Sequence, residues 1–148
     1  MQVIKNTFEH HLSAIYEEVC AQICKDLMMK EIIHFTSLGK WWLRNEEIDI
    51  VALDEESSTI YFAECKWSNK KVGTDIYENL VRKASLVDWH SSKRTEKFLL
   101  FSKSGFTSAL LEHNRKENLI LIHKAALKCS AGLRMRMGLC QGKTLPFL

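Results

Sequence analysis

Hydrophobic residues at steps of three and four open the chain and predict a long amphipathic helix. From residue 6 to about residue 28, these apolar positions are Phe8, Leu12, Ile15, Val19, Ile23 and Leu27. Such spacing places all of them on one face of a helix, where they can pack against the rest of a domain. The N-terminal fifth of the chain is therefore expected to be a single core-facing helix.

Short apolar runs separated by polar turns come next and predict strands. EIIHFTSLGKWWLR, IDIVALD and TIYFAECKW indicate three strands, with the polar turn EESS between the second and the third. Helical spacing returns over residues 74–87, followed by the strand KFLLFS, a turn with a short helix in SGFTSALLEHNRKE, and a last strand in NLILIHK.

The strand cores IDIVAL, TIYFA and FLLF are apolar on both faces, which is typical of a sheet covered on both sides by helices. The order of elements therefore predicts an α/β (α+β) three-layer sandwich with a central mixed sheet and an αβββαβ core. This domain is expected to span residues 1–130. Residues 131–148 have no clear period and predict an irregular basic C-terminal tail.

Composition narrows the class of protein. The 148 residues suffice for one domain with a core, and no stretch has the roughly 20 apolar residues of a membrane span. The N-terminus has no compact apolar block, so no signal peptide is expected. Five cysteines, an odd number without CxxC spacing, favour reduced thiols and a cytoplasmic location over a disulfide framework or a zinc site.

Charge is uneven although the net value is only +3. No acid follows Glu117, whereas five basic residues do: Lys124, Lys128, Arg134, Arg136 and Lys143. This basic third could contact phosphates, or it could be a solvated tail that happens to be positive; the sequence favours neither.

The candidate chemistry lies where ionisable groups interrupt apolar strands. Asp49 lies within EIDIVAL, and Glu64 and Lys66 end the run IYFA. Alternation along a strand places Glu64 and Lys66 on one face, roughly 7 Å apart, with Cys65 on the other. A hairpin through EESS would bring Asp49 near Glu64, and such a corner of carboxylate and carbonyl oxygens suits Mg²⁺. Taken singly, Asp49 could be a strand-end acid, and Glu64 with Lys66 a surface pair.

The layout helix, strand, Asp, strand, ExK, helix, strand resembles the PD-(D/E)XK nuclease superfamily. More closely, GKWWLRNEEIDIVALDEESSTIYFAECKW and LLFSKSGFT resemble the nuclease-like domain at the C-terminus of archaeal-type ATPases, over about residues 8–125. Ile48 stands where the superfamily name has proline. The resemblance implies a restriction-endonuclease-like fold. It also makes Glu17, in YEEVC, the candidate acid of the first helix.

The resemblance further implies a nuclease that hydrolyses DNA phosphodiester bonds. Asp49 and Glu64 would bind one or two Mg²⁺ ions, for which Mn²⁺ may substitute, with Glu17 and the backbone carbonyl of Cys65 as further ligands. Lys66 would assist the attacking water. The ATPase regions that usually precede such a domain are missing from these 148 residues, so the chain is expected to be a stand-alone relative or a fragment.

Four residues are weaker candidates for nucleic-acid contact: Lys83, Trp42, Lys70 and Lys71. For Lys83 the favoured alternative is a solvated helix lysine. Of the adjacent Trp41 and Trp42, one is expected to pack in the core, and Trp67 is expected to pack opposite the site.

Two other functions compete with the nuclease. One is a catalytically idle module of the same fold that binds nucleic acid or docks on an ATPase. The other is an interaction protein that binds its partner through residues 131–148. A homodimer and association with a separately encoded ATPase are left open as partners, and no membrane association is expected.

Overall fold

The structure, a computed structural model, describes residues 2–114, 118–123 and 138–139. Three helices are formed: α1 (Gln2–Met29), α2 (Thr74–Ala84) and α3 (Ser108–His113). The strands are β1 (Ser37–Leu43), β2 (Glu46–Asp54), β3 (Thr59–Lys66), β4 (Thr95–Ser102), β5 (Leu119–His123) and β6 (Gly138–Leu139).

The six strands form one sheet in chain order, β1 to β6. The first three are antiparallel, β3 to β5 are mutually parallel, and β6 runs antiparallel to β5. Parallel neighbours need a crossover connection, and α2 and α3 provide the two that the sheet requires. The predicted mixed sheet and the αβββαβ order are confirmed.

Each face of the sheet has its own hydrophobic core. On one face, Tyr16, Cys20, Ile23, Cys24 and Leu27 of α1 pack on strand residues that include Ile50, Ala63 and Phe101. On the other face, Tyr77 and Leu80 of α2 and Leu110 of α3 pack on Ile60, Phe62 and Leu100, among others. This arrangement is the expected three-layer sandwich, and β3 is buried from Thr59 to Cys65 because helices cover both of its faces.

The stripe of α1 that is buried differs from the predicted one. Ile23 and Leu27 are in the core as expected, but Phe8 is 60% exposed and Ile15 is 38% exposed. Residues 4–11 are all exposed, because only the C-terminal part of α1 packs on the sheet. The spacing therefore predicted the helix correctly, but it could not show where along the helix the sheet ends.

Strand β2 contains a bulge that changes which residues face which core. Gly39 pairs with Val51 and Trp41 with Ile48, so Lys40 alone opposes both Asp49 and Ile50. As a result Ile48 packs on the α2 side, whereas Ile50 packs on the α1 side. Such bulges bend a strand and re-aim a side chain.

The predicted tail is described at only two residues. Gly138 and Leu139 pair with β5, where an irregular segment was expected. The basic residues of the tail and the approach to it lie outside the described residues: Lys124, Lys128, Arg134, Arg136 and Lys143.

Within the described residues, no helix has the length and apolar character needed to cross a bilayer. Cys20, Cys24 and Cys65 are free, buried thiols.

Candidate active site

Asp49 lies where β2 and β3 separate. The antiparallel register between these strands reaches Ile50 opposite Ala63 and goes no further. Beyond that point the Asp49 carboxylate takes the place of a backbone acceptor, because the N–H of Cys65 donates to Asp49 Oδ2 over 2.8 Å. The side chain is thereby fixed in the fork between the two strands.

Burial and a neighbouring carboxylate act together on Asp49. Burial first, and then the charge of Glu64, raise the pKa of Asp49 to about 6, although the Cys65 N–H bond and Lys66 act in the opposite direction. The charge of Glu17 adds to the rise. The expected hairpin thus brings Asp49 within the field of Glu64, and a cation between them would relieve the repulsion.

Glu64 is the buried carboxylate of the site, only 6% exposed. Its Oε1 accepts from Lys66 Nζ at 2.8 Å, and its Oε2 accepts from Lys83 Nζ at 3.0 Å. The predicted common face of Glu64 and Lys66 is confirmed. Because Ala63 and Cys65 pack on the α1 side, the two ionisable side chains point to the α2 side of the sheet.

Lys83 is not the solvated helix lysine that was favoured. It is 7% exposed, and besides Glu64 its ammonium donates to the backbone carbonyl of Glu47 over 2.8 Å. The reason is helical periodicity: Lys83 shares the sheet-facing side of α2 with Leu80 and Ala84. That spacing was visible in the sequence, so the position of Lys83 could have been found from it.

Lys66 is the more accessible ammonium of the pair, with 36% of its side chain exposed. Burial lowers the pKa of Lys66, but the hydrogen bond to Glu64 and the charges of Glu64 and Asp49 outweigh it, so the pKa is raised above its usual value. Lys66 is therefore firmly protonated and lies at the mouth of the site.

Glu17 reaches the rim of the site from α1, on the opposite side of the sheet from Glu64. Its Oε2 accepts from Lys40 Nζ at 3.1 Å, and the same ammonium lies 3.5 Å from Glu47 Oε2. Lys40 was missed in the sequence because it opposes the β2 bulge, which strand alternation does not reveal. Burial lowers the pKa of Lys40, but Glu17, Glu47 and Asp49 together raise it.

The backbone of Cys65 faces the edge of β3 next to β2, whereas its side chain points to the α1 face of the sheet. Its N–H faces Asp49, and in a strand the carbonyl of the same residue points to the same edge, as the predicted carbonyl ligand requires. Its thiol packs with α1, where a hydrogen bond to Cys20 and burial raise the pKa of Cys65 well above its usual value.

The tryptophans divide between core and surface as expected. Trp41 packs against the α2-side core, and Trp42 is 70% exposed. Trp67 packs on the opposite, α1-side core, with its ring 5.3 Å from that of Tyr16 and with Lys103 Nζ 4.4 Å above it.

Lys70 and Lys71 are exposed and lie between β3 and α2. With Lys66, both line a cleft of about 210 Å³ that reaches Gly73 at the start of α2. Two of the weaker candidates therefore share a cleft with Lys66. Trp42 lies on strand β1 and does not line this cleft.

The residues present offer a partial set of ligands for a divalent ion. Asp49, Glu64 and the Cys65 carbonyl are hard oxygen donors of the kind that Mg²⁺ binds with several waters. In the part of the chain that the structure describes, however, no three His, Cys, Asp or Glu side chains lie close enough together to hold a metal ion. The donor chemistry fits Mg²⁺ at a site of two carboxylates, with Glu17 held by Lys40 at the rim.

Residues 1–76 match the family DUF234, which is described as archaea bacterial proteins of unknown function. This segment is half of the chain. The chain belongs to the DUF234 family. The DUF234 segment includes Glu17, Asp49, Glu64 and Lys66, and Lys83 lies outside it.

A curated relative extends the similarity. The chain is 34% identical over 91 residues to the uncharacterized protein MJECL04 of Methanocaldococcus jannaschii. The match covers 59% of this chain and 21% of that protein, so the chain spans about a fifth of its relative's length. No solved structure matches the chain.

Proposed function

We propose that this chain is a Mg²⁺-dependent nuclease that hydrolyses phosphodiester bonds of DNA, as its resemblance to the PD-(D/E)XK superfamily implies. One observation carries the proposal: the pairing of β2 with β3 gathers Asp49, Glu64 and Lys66 at a single fork of the sheet. Residues from two segments of the sequence, IDIVAL and the ExK run, lie together at this fork, which supports the proposal.

In this proposal Asp49 and Glu64 hold the metal ion through carboxylate oxygens, and the Cys65 carbonyl adds a neutral ligand. Magnesium supplies stabilisation of negative charge on the phosphate and lowers the pKa of water. Asp49 is suited to the task, because its raised pKa reflects a buried negative charge that lacks a full counter-charge.

Lys66 would assist the attacking water, and its ammonium lies 2.8 Å from Glu64 Oε1 at the proposed metal site. Its side chain is 36% exposed and can therefore extend from Glu64 into the solvent. A compact, fully protonated ammonium can orient a water molecule or offset charge that develops in the transition state.

The approach of DNA is assigned to the cleft beside Lys66. Lys70 and Lys71 line it, and two ammonium groups next to the scissile position would bind flanking phosphates. Such binding falls steeply with salt, because phosphate contacts release counterions. Trp42, exposed on β1, remains a predicted contact for an unpaired base.

A second candidate is the catalytically idle module. Two facts favour it: lysine ammonium groups occupy both oxygens of Glu64, and no three ligating side chains cluster in the described ranges. An idle module would bind DNA or an ATPase without requiring a divalent ion. Pairing with a separately encoded ATPase and homodimer formation are predictions that come from the resemblance alone.

The test is a panel of linear, single-stranded and branched DNAs incubated with Mg²⁺ or Mn²⁺. Wild type is compared with Glu64→Gln, which keeps the shape of the side chain and an acceptor for Lys83. Lys66→Met is tested beside it. We expect metal-dependent cleavage by the wild type and loss of cleavage in both variants, with folding verified by circular dichroism.

Glu78→Gln serves as the matched control, because Glu78 is an exposed carboxylate on α2 and is not one of the helix residues that pack on the sheet. It should cleave as the wild type does. Equal cleavage by wild type and Glu64→Gln would show that the nuclease activity comes from elsewhere. DNA binding without cleavage under every condition would instead favour the idle module.

A further inference from the structure

We propose that Lys83 keeps its ion pair with Glu64 when metal binds, which leaves Glu64 one oxygen for metal and limits the site to a single divalent ion. This inference rests on the proposed nuclease function. It makes Lys83 a positioning residue that acts through Glu64, rather than a contact for DNA.

Both oxygens of Glu64 are already occupied. Lys66 Nζ lies 2.8 Å from Oε1, and Lys83 Nζ lies 3.0 Å from Oε2. A metal ion that binds Glu64 must therefore displace one of the two ammonium groups, so the question is which of them leaves.

The two lysines differ sharply in what holds them. The Lys83 side chain is 8% exposed, and its ammonium also donates to the Glu47 carbonyl. The Lys66 side chain is 36% exposed and stands at the last residue of β3. If Lys83 moved off Glu64, it would leave a buried ammonium without its carboxylate, whereas Lys66 can extend into water.

This difference decides which ammonium a metal ion displaces. A divalent ion shared by Asp49 and Glu64 takes Oε1 when Lys66 swings away, while Oε2 stays with Lys83. A second ion that used Glu64 would need Oε2 and would meet the Lys83 ammonium at short range. A second ion at Asp49 would have to share a carboxylate whose Oδ2 already accepts the Cys65 N–H, while Lys40 holds Glu17. The site then has one oxygen from Glu64 for one ion, and the released Lys66 is free to serve the reaction.

The adjacent ion pair on α2 supports a positioning role. Arg82 Nη1 lies 2.8 Å from Glu46 Oε1, so consecutive residues of α2 hold the start of β2 by a side chain and by the Glu47 carbonyl. Arg82 is exposed by half of its side chain and does not contact Glu64. It therefore tests the tie between α2 and β2 without altering the carboxylate.

The experiment measures Mn²⁺ binding to the full chain by titration calorimetry and electron paramagnetic resonance. Wild type is compared with Lys83→Met and with the control Arg82→Met. We expect one Mn²⁺ per wild-type chain. In Lys83→Met we expect a second bound ion or at least tenfold tighter binding of the first, whereas Arg82→Met should behave as the wild type.

Lys83→Gln covers the case in which Lys83→Met fails to fold, since its amide is a hydrogen-bond donor without charge. Two ions in the wild type, or unchanged stoichiometry and affinity in a folded Lys83 variant, would overturn the inference while leaving the nuclease intact. A wild type that binds no Mn²⁺ and cleaves no DNA would overturn both.

Discussion

Strand β2 carries two aspartates, Asp54 at its C-terminal end and Asp49 at the fork with β3, and their surroundings are opposite in kind. Asp54, at the turn, accepts from the Ser57 hydroxyl at 2.6 Å and from the Glu56 N–H at 3.2 Å, and His34 Nδ1 lies 3.0 Å away. Asp49, at the fork with β3, accepts the Cys65 N–H and faces the carboxylate of Glu64.

Their pKa values follow these surroundings. Hydrogen bonds from Ser57 and His34 lower the pKa of Asp54, so its charge is stabilised where it lies. Burial and Glu64 raise the pKa of Asp49 to about 6. Asp54 thus serves the fold by closing a turn, whereas the charge of Asp49 costs stability, as expected of a carboxylate at the proposed cation site.

The largest expected difference between Asp49 and Asp54 is in catalysis. Asp49→Ala should lower Mg²⁺-dependent DNA cleavage by about 10³-fold or more, because metal stabilisation of the transition state is worth several kcal/mol. Asp54→Ala should leave the rate per folded molecule unchanged. Gel-based cleavage rates, normalised to the folded fraction from circular dichroism, check both; unchanged cleavage in Asp49→Ala would rule out the site.

The next effect is on the free energy of unfolding, and it has opposite signs at Asp49 and Asp54. Since the folded pKa of Asp49 is raised, its favourable contribution is complete below the usual pKa and is lost as pH rises through about 6. Without metal, Asp49→Asn should therefore raise the free energy of unfolding near pH 7.5 by up to about 3 kcal/mol. The gain should shrink toward about pH 4.

Asp54→Asn should behave in the opposite way. A lowered folded pKa gives stability that is present above the usual pKa and is lost as pH falls through the folded value. The substitution should therefore destabilise the chain most at neutral pH. Urea denaturation near pH 7.5 and near pH 4 measures the change in the free energy of unfolding for both variants. Mn²⁺ should make the wild type more stable than Asp49→Asn. A loss of stability in metal-free Asp49→Asn would contradict the account of that end.

The smallest effect is in DNA binding. Lys70→Ala and Lys71→Ala, at the Asp49 end, should each weaken binding and reduce the slope of log affinity against log salt by about 1. Lys93→Ala, an exposed lysine just before β4 at the Asp54 end, should change neither quantity. Fluorescence anisotropy at several salt concentrations distinguishes them, and an equal loss in Lys93→Ala would mean non-specific attraction over the whole surface.

Most of the fold was predictable because its signals are local. Apolar strand cores and turn residues predicted β2, β3 and the hairpin, and strand alternation then placed Glu64 beside Lys66. Asp49 came near Glu64 for the same reason. The resemblance to a nuclease family added the functional interpretation, and the pattern of residues alone would not have done so.

What the sequence left out depends on contacts between distant elements. Lys83 was expected in solvent, since a lysine is seldom buried without a partner and its partner Glu64 lies on another element. Lys40 was missed because a single extra residue in β2 decides what it faces. The exposure of Phe8 depends on the extent of the sheet, which helical spacing does not encode.

The extra residue in β2 also constrains how this strand can vary. On one side of Asp49 the even-numbered position Ile48 belongs to one layer of the sandwich, and on the other side Ile50 belongs to the opposite layer. Asp49 lies at the bulge, where the alternation of side chains between the two faces of the sheet is shifted by one residue. Deletion of Asp49 would restore regular alternation between Ile48 and Ile50 and keep both of them in their cores, but it would remove the carboxylate of the site.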